Sequence, residues 1–520
     1  MSFRHPRRCA AAARAAVAVL ILLGAAVACS GDDGRDDAAP DTELGPTVVG
    51  APEARPANAN SADRLLFWSS CQSIIELSDA DLERFVGQGV DGFVCVVGRI
   101  RGLGGRAAFT PLPDTLDGAA HEMQRALRDT GIVARATAMG MKLYLGFYAT
   151  NEGNHQTPFV EWFDDRGWAE EALPNLESFA ATAQQLGFAG VAIDQEIYAP
   201  DDGSDRATWE WDYPGNAHEE VEVRAQVRER GAQVMQALLA GFPGLEVLAY
   251  ASHFPGTWED VVQLQVNGIE DRAQPMVHVN FWDGMTSVDG YAAVRFLNAV
   301  FYKINHIQDA TWDTAFAYEY NQLASLFSRS FSNWSYASSR VFASPFIWIS
   351  EGGTDFERAR EPEYVAEQLE AFSRWGMGGE FANFAYNGVE YFDYSPYAPA
   401  MEEFSSPRVV DDEAPQLSVQ ENPEVTAGSN GASAGVQGTA SDDLAIWAVR
   451  WANDRGGSGT AQLTWEIDWE QAEGDFAAGF TWQTHWSIDA IPLQPGINSI
   501  TISADGIKGP SSSVEVTADG

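Results

Sequence analysis

The chain alternates short apolar runs with longer amphipathic stretches from residue 65 to residue 386. The short runs are rich in β-branched and aromatic residues, which is typical of buried strands, whereas the longer stretches repeat their apolar residues at helical spacing. The pattern therefore predicts strands alternating with helices. The predicted strands are residues 65–71, 92–98, 142–150, 190–198, 246–252, 276–282, 340–350 and 380–386.

Residues 218–241 and 174–187 show the clearest helical patterns between these runs. Gly241 and Gly187 close the two stretches, and glycine at the end of an apolar repeat is a helix stop signal. The residues at helical spacing are Val223, Val227, Val234 and Leu238 in the first stretch and Leu176, Phe179 and Ala183 in the second.

Eight strands alternating with helices over about 340 residues fit a (β/α)8 TIM barrel with insertions, whose active sites lie at the carboxyl ends of the strands. An open doubly wound sheet is the alternative. That fold binds nucleotides through a glycine-rich turn, and "GLGGR" at 102–106 lacks the required spacing. The pattern therefore favours a barrel over residues 63–408.

Beyond "SSPRVVDDEAPQL" the pattern changes to short alternating runs separated by Gly, Asn and Asp, which predicts an all-β sandwich over residues 409–520. The segments "GTASDDLAIWAVRW" and "LQPGINSITISAD" resemble bacterial immunoglobulin-like modules appended to secreted enzymes. Six of the 17 Trp residues lie here, so carbohydrate binding stays open beside a role as a spacer or packing module. We expect residues 63–408 to act without it.

The N-terminus carries a basic segment, "MSFRHPRR", and an apolar segment from Ala10 to Ala28 that ends at Cys29. This arrangement resembles a bacterial lipoprotein signal, which implies cleavage before Cys29 and lipidation of its thiol; an uncleaved membrane anchor is the alternative. Residues 30–62 lack apolar periodicity and predict a disordered tether. We expect the protein in the cell envelope, lipid-anchored to an outer membrane or the cell surface, or outside the cell.

Charge narrows the choice of partners. The chain has 32 basic and 74 acidic residues and a formal net charge of −42, so nucleic acid and anionic lipid surfaces would repel it. Only Cys71 and Cys95 remain after the lipidated region, which excludes a disulfide scaffold and a zinc cluster. Both cysteines lie at the first two predicted strands, and a disulfide or two free thiols stay open.

The fourth predicted strand ends in two carboxylates, within the stretch "GFAGVAIDQEIYAP". Side chains alternate along a strand, so Asp194 and Glu196 share a face with Ala192. Their Cα atoms would lie about 6.5 Å apart, close enough for one negative carboxylate to raise the pKa of the other. In a barrel this face is the interior mouth; a solvated strand end is the alternative.

"GVAIDQE" resembles the fourth-strand signature of family 18 glycoside hydrolases, and "IDQEIYAP" is similar to the Asp-x-Glu segment of hyaluronidases. The resemblance implies that Glu196 is a general acid on the glycosidic oxygen. Asp194 would stay ionised and orient either that acid or an acetamido group of the substrate. Ala189 and Ala192 stand where chitinases carry further Asp residues, which argues against chitinase itself.

A second arrangement uses Glu351, which follows the seventh predicted strand in "FIWISEGG". Retaining glycosidases with an acid on strand four and a nucleophile on strand seven carry two Glu residues in these positions. Asn usually precedes the first of them, and Gln195 stands there in this chain. Under this hypothesis Glu196 is the acid/base and Glu351 the nucleophile, with carboxyl groups about 5 to 5.5 Å apart.

Further polar and aromatic residues follow predicted strands or lie in the 200–216 insertion, where sugar-binding groups are expected. For the tryptophans, Tyr250 and the histidines, core or structural roles are the alternative. We predict no cofactor, and calcium, which "DDGSD" resembles only faintly, is left open and not predicted. The candidate substrate-binding residues are Asn151, Glu152, Trp209, Tyr250, His253, Asn280, Trp282, Asp283, Trp348 and Tyr386.

The function these residues support is that of an exported glycoside hydrolase acting on an oligo- or polysaccharide. Two hypotheses from other classes stay open: a barrel that binds glycans without cleaving them, and a surface adhesin that does not bind carbohydrate. A cleft at the mouth of the barrel and turnover of glycosides separate the three.

Overall fold

Eight parallel strands pair in chain order, and the eighth pairs with the first to close a barrel. The prediction of a (β/α)8 TIM barrel is confirmed. Seven of its strands begin within one residue of the predicted positions, and the sixth differs. The strands are β1 Arg64–Ser70, β2 Gly92–Val96, β3 Lys142–Tyr148, β4 Gly190–Asp194, β5 Glu246–Tyr250, β6 Ala293–Asn298, β7 Val341–Ile347 and β8 Glu380–Phe384.

The structure is a computed structural model. The predicted signal segment 1–29 and tether 30–62 lie outside the residues that it describes. Those residues are 64–101, 103, 107–110, 112, 116–149, 161–195, 209–213, 215–250, 254, 277–298, 312–347, 362–375, 380–384, 395–404, 413–428, 431–467 and 482–520.

Helices follow the strands, as the alternation of patterns predicts. The predicted helices at 174–187 and 218–241 are confirmed, and Gly187 ends the first in the left-handed conformation, at φ +87°. The helices are α1 Cys71–Ile75, α2 Asp79–Gly87, α3 Glu122–Thr130, α4 Ile132–Ala138, α5 Asp165–Gly167, α6 Leu173–Leu186, α7 Glu220–Gly241, α8 His278–Thr286, α9 Trp312–Ser330, α10 Trp334–Ala337, α11 Pro362–Trp375 and α12 Ala398–Phe404.

The sixth strand was predicted wrongly at 276–282. Residues 278–282 instead begin α8, because Val277, Phe281 and Met285 repeat at a spacing of four and are all buried. The true strand, β6, has Arg295 in its middle, so it lacks the continuous apolar run by which the strands were predicted. The guanidinium carbon of Arg295 lies 4.6 Å from the ring centroid of Phe342 on the neighbouring strand, a stabilising cation–π contact.

Alternate residues of the strands face opposite sides of the barrel wall. On β4, Val191 and Ile193 join the core between strands and helices, whereas Ala192 joins the interior of the barrel. The strand alternation that the sequence predicted is therefore confirmed for β4. The residues of the interior cluster are Leu66, Trp68, Val94, Val96, Tyr144, Ala192, Leu248, Tyr250 and Leu297.

A capping box begins α2. The Ser78 hydroxyl accepts a hydrogen bond from Asp81 N, and the Asp81 carboxylate accepts from Ser78 N at 3.0 Å and from Ser78 Oγ at 2.6 Å. The side-chain hydrogen bond and then the backbone hydrogen bond from Ser78 lower the pKa of Asp81 from its ordinary value of 3.8. The ionised carboxylate is the form that caps the helix.

We expect Asp81→Asn to lower the free energy of unfolding by about 1 kcal/mol at neutral pH. Because the folded-state pKa of Asp81 is depressed, its contribution is present above 3.8 and is lost as the pH falls through the lower folded value. Urea unfolding at neutral and acid pH measures the difference. Glu83→Gln, the same charge change at an exposed site of the same helix, is the control; a pH-independent difference between wild type and Asp81→Asn would contradict the role of the ionised carboxylate.

Cys71, at the start of α1, and Cys95 on β2 form a disulfide with a Cα–Cα distance of 4.4 Å. The bond joins the first two strands at the carboxyl end of the barrel. Of the two alternatives that the sequence left open, the structure has the disulfide.

Two four-stranded antiparallel sheets make the C-terminal part an immunoglobulin-like β-sandwich, as predicted. One sheet has the order β13-β14-β10-β9 and the other β12-β11-β15-β16. The strands are β9 Gln416–Gly428, β10 Gly431–Ser441, β11 Ile446–Asn453, β12 Ser458–Thr460, β13 Gln462–Ile467, β14 Trp482–Leu493, β15 Ile497–Gly506 and β16 Ser512–Asp519.

The sandwich packs directly on α9 and α10 of the barrel. Trp447 of β11 is fully buried, with its ring centroid 5.9 Å from that of Phe327 and 5.7 Å from that of Trp334. Ser325 Oγ donates to Leu463 O, and Leu463 N donates to Ser328 Oγ, both at 3.0 Å. The barrel helices and the sandwich thus bury their apolar residues in one continuous core.

This contact changes the expected role of the sandwich. Trp447 packs on the barrel, and the indole N–H of Trp465 donates to Gln322 Oε1 of α9 at 3.2 Å. These rings stabilise the junction between the two parts, so the sandwich is a packing module and not a spacer. The sequence suggested that the barrel is independent of the sandwich, because a sequence shows which face of an element is apolar but not which distant element covers that face. None of the helices in the described part of the chain is long and apolar enough to cross a membrane.

Candidate active site

Asp194 is the last residue of β4, and its side chain is fully buried. It follows Ala192 at a spacing of two, so the alternation of the strand directs its carboxylate to the interior of the barrel. The backbone is held on both sides: Ala149 N donates to Asp194 O at 2.6 Å, and the next amide, of Gln195, donates to Tyr250 O at 3.1 Å. The structure therefore places Asp194 at the carboxyl end of the barrel strands, as predicted.

Aromatic residues surround this position. Tyr148 on β3 and Tyr250 on β5 stand in register with Asp194 on its two sides. Trp68 reaches Tyr250 across the interior, with ring centroids 5.1 Å apart, and its buried indole N–H has no hydrogen-bond partner among the described residues. A carboxylate that is buried in this way interacts strongly with any charge that develops beside it, because burial reduces screening by water.

Tyr148, in register with Asp194, and Trp68, in contact with Tyr250, lie near this strand end and were not among the predicted site residues. The signal was present for Tyr148, which shares the face of Tyr144 and Gly146 on its strand. For Trp68 no sequence signal existed, because its contact with Tyr250 joins strands on opposite sides of the barrel. Tyr250 itself was a candidate for substrate binding; its ring is fully buried and forms part of the interior packing.

Gln195 faces the other side of the barrel wall. Its Oε1 accepts a hydrogen bond from Trp282 Nε1 of α8 at 2.7 Å, and both side chains are fully buried. Gln195 therefore contacts the helix layer, and it does not supply a polar group to the barrel interior.

Asn280, Trp282 and Asp283 were expected to follow a sixth strand at the mouth, and this placement was wrong because all three lie on α8. Asn280 Oδ1 accepts from Arg224 of α7 at 3.0 Å, and Asp283 accepts from the Arg228 guanidinium of the same helix. Trp282 packs edge-on against a core phenylalanine on the outer face of β6. Asn280 and Asp283 thus bond α8 to α7, and Trp282 packs α8 on β6. These contacts are those of packing residues and not of a substrate-binding surface.

Trp209 was a candidate sugar platform in the insertion that follows β4. The structure instead covers its ring: His278 stacks on it with centroids 4.6 Å apart, and Trp162 meets it at 5.1 Å. Trp209 is therefore a core residue. The buried ring of His278 packs in the same cluster.

Tyr213, four residues beyond Trp209, is also anchored. Its hydroxyl donates to Glu161 Oε1 at 2.6 Å. Burial, and then the hydrogen bond with Glu161, raise the pKa of Tyr213 well above its ordinary value of 10. The hydroxyl thus stays a protonated donor at neutral pH, and the described end of the insertion is fixed to the barrel.

The remaining predicted site residues lie outside the described part of the chain. Among the residues that the structure describes, no group of three or more His, Cys, Asp or Glu side chains could hold a metal ion. The site residues outside are Cys29, Asn151, Glu152, Glu196, His253, Trp348, Glu351 and Tyr386.

No protein-family model and no curated protein matches the chain. Solved structures do match it, among them an endo-β-1,4-mannanase from Thermotoga petrophila, at 10% identity over 89% of this chain and 98% of that one, with a TM-score of 0.38. A class V chitinase from Pseudomonas fluorescens Pf-5 matches at 12% identity over 66% of this chain and 99% of that one, with a TM-score of 0.36. A glycoside hydrolase family 5 enzyme from Prevotella bryantii B14 matches at 10% identity over 64% and 87%, with a TM-score of 0.36. At these values the matches assign neither a substrate nor a site residue to this chain.

Proposed function

We propose that this protein is an exported glycoside hydrolase that cleaves glycosidic bonds in an oligo- or polysaccharide, with Glu196 as general acid and Asp194 as its partner. One observation carries the proposal: a fully buried Asp194 ends the fourth strand of a closed (β/α)8 barrel, at the end where active sites of this fold lie. Burying an ionisable side chain is costly. Its presence there supports a functional role.

The chemistry follows from the pair of carboxyl groups. Glu196 would give its proton to the glycosidic oxygen as the bond from that oxygen to the anomeric carbon breaks. Asp194 would orient the acid, or an acetamido group of the substrate that stabilises the anomeric carbon. Because Asp194 is fully buried and its described neighbours are aromatic, its charge would be weakly screened at that centre.

The orientation of Gln195 bears on the alternative with two Glu residues. That arrangement usually has Asn before the acid/base, and Gln195 stands in this position here. Gln195 Oε1 instead accepts a hydrogen bond from Trp282 Nε1, in the helix layer. Asp194, and not Gln195, faces the interior, which supports the Asp-x-Glu arrangement.

Release of reducing ends from a panel of polysaccharides by the mature protein tests the proposal. We expect release from at least one polymer and its loss in Glu196→Gln. Binding of a polymer without any release would favour a glycan-binding barrel. Neither binding nor release across the panel would favour the adhesin.

Export and lipid attachment form the second part of the proposal. The Cys71–Cys95 disulfide supports it, because such bonds persist in oxidising compartments. We expect labelled palmitate to mark the wild-type protein in a bacterial host, and Cys29→Ser to abolish the label. A label that survives this substitution would contradict lipid attachment at Cys29.

A further inference from the structure

We propose that Trp282 is a positioning residue for the hydrolytic site, which it supports from outside the barrel by holding Gln195. The inference rests on the proposed function, because the residues before and after Gln195 are Asp194 and Glu196. It also replaces the role that the sequence suggested for Trp282, since the ring is fully buried in the helix layer and offers no face to a sugar.

The contact is a single buried hydrogen bond, from Trp282 Nε1 to Gln195 Oε1 at 2.7 Å. The Nε2 of Gln195 has no partner among the described residues, and within this part of the chain the bond from Trp282 orients the amide. Both side chains are fully buried. Losing the donor would therefore leave a buried acceptor unsatisfied, which is more costly than losing an exposed hydrogen bond.

The end of β4 transmits this constraint. The Asp194 carbonyl is held by Ala149 N, and the Gln195 amide is held by Tyr250 O, so both neighbouring strands pair with the peptide between the two residues. Successive side chains of a strand leave on opposite faces. A rotation of this segment that released Gln195 would therefore also turn the carboxylate of Asp194.

Trp282 can hold Gln195 because α8 is itself fixed. The backbones of α7 and α8 touch: a Cβ on Gly284 would lie 1.9 Å from Arg228 O, and one on Gly231 would lie 2.0 Å from Phe281 O. Asp283 adds an ion pair with Arg228 and accepts a hydrogen bond from Ser332 N at 2.7 Å. The indole N–H of Trp282 thus projects from a rigid base towards the strand end.

Trp282→Phe removes the donor and keeps an aromatic ring, and Gln195→Met removes the acceptor and keeps the volume. We expect each to lower kcat by about 10- to 100-fold, the cost of a misplacement on the order of 1 Å, with KM within about twofold. The double variant should be no slower than the slower single variant, because both remove the same bond. Trp334→Phe is the matched control: its indole is also buried, but its N–H has no hydrogen-bond partner among the described residues.

Hydrogen exchange supplies a readout that is independent of turnover. We expect the amides of the peptide around 190–195 to exchange faster in Trp282→Phe and Gln195→Met, and as slowly as in wild type in Trp334→Phe. Unchanged exchange in this peptide would overturn the proposal, and so would equal kcat values for Trp282→Phe and Trp334→Phe or multiplicative losses in the double variant.

The failure of the proposed function would look different. If the wild type releases no sugar from any polymer, or if Glu196→Gln remains active, the hydrolase proposal fails. The exchange measurement then still decides whether Trp282 holds the end of β4, and faster exchange without an effect on turnover restricts Trp282 to a structural role.

Discussion

Glu196→Gln is expected to lower turnover of unactivated glycosides by roughly 10² to 10⁴, the usual contribution of a positioned general acid. The amide keeps the shape of the side chain but has no acidic proton to give. The loss should shrink on aryl glycosides with good leaving groups, which need little protonation. Steady-state kinetics on a matched pair of such substrates measures the difference. Near wild-type turnover on the unactivated substrate would make the catalytic assignment wrong.

Asp194→Asn and Glu351→Gln then separate the two arrangements of carboxylates. If Asp194 is the partner of the acid, Asp194→Asn is crippling and Glu351→Gln is mild. If Glu351 is the nucleophile, Glu351→Gln abolishes turnover, and added azide restores part of it by attacking the anomeric carbon in place of the carboxylate. A mild effect of Asp194→Asn would reject Asp194 as the partner of the acid. A mild effect of Glu351→Gln would reject Glu351 as the nucleophile.

Glu246→Gln is a matched control for these substitutions. Glu246 begins β5 at the opposite end of the barrel, and its Oε2 accepts a hydrogen bond from the Tyr144 hydroxyl at 2.8 Å. Residues at the amino ends of barrel strands contribute to stability and not to catalysis. We therefore expect turnover within about twofold of wild type. A large loss here would show that any carboxylate removed from the barrel disturbs the site.

Removal of the sandwich, by ending the chain at residue 408, is expected to leave a barrel that aggregates or unfolds well below the wild-type temperature. The truncation would expose Phe327, Trp334 and Tyr320, which Trp447 now covers. An exposed apolar patch of this kind both costs free energy and promotes association. The wild type should unfold in one cooperative transition, measured by scanning calorimetry.

Trp447→Ala tests the same interface in the intact chain. We expect it to lower the free energy of unfolding by about 3 to 5 kcal/mol, as for other large buried aromatic residues. Ile497→Ala, at a sandwich position that is 66% exposed, should change it by less than about 0.5 kcal/mol. If the truncated barrel keeps the wild-type unfolding temperature, the sandwich does not support the barrel, and the two parts are independent after all.

Local patterns in the sequence were sufficient for much of this architecture. The apolar runs at β1 to β5, β7 and β8 marked strands, because a strand buried on both faces needs a continuous apolar sequence whatever its partners are. The alternation of side chains then directed Asp194 inward and Gln195 outward, since this geometry belongs to the strand itself. The same rule predicted that Glu196 shares the face of Asp194, and the resemblance to family 18 glycoside hydrolases supplied the two candidate roles.

Other features depend on which distant residues meet. Arg295 lies in the middle of β6, where its guanidinium contacts the ring of Phe342. Without knowledge of that partner, a charged residue argues against a buried strand. Trp282 was predicted to bind sugar because of its residue type and its place after a predicted strand. In the structure it lies on α8, and its indole N–H donates to Gln195. The tryptophans of the sandwich left carbohydrate binding open beside a packing role, and Trp447 packs against α9 and α10. The sequence by itself determined the barrel, the sandwich and the direction of each β4 side chain, because these follow from backbone periodicity. Only the tertiary structure decided that Trp282 bonds Gln195 and that Trp447 packs between the sandwich and the barrel, because burial and hydrogen bonding depend on residues far away in the chain.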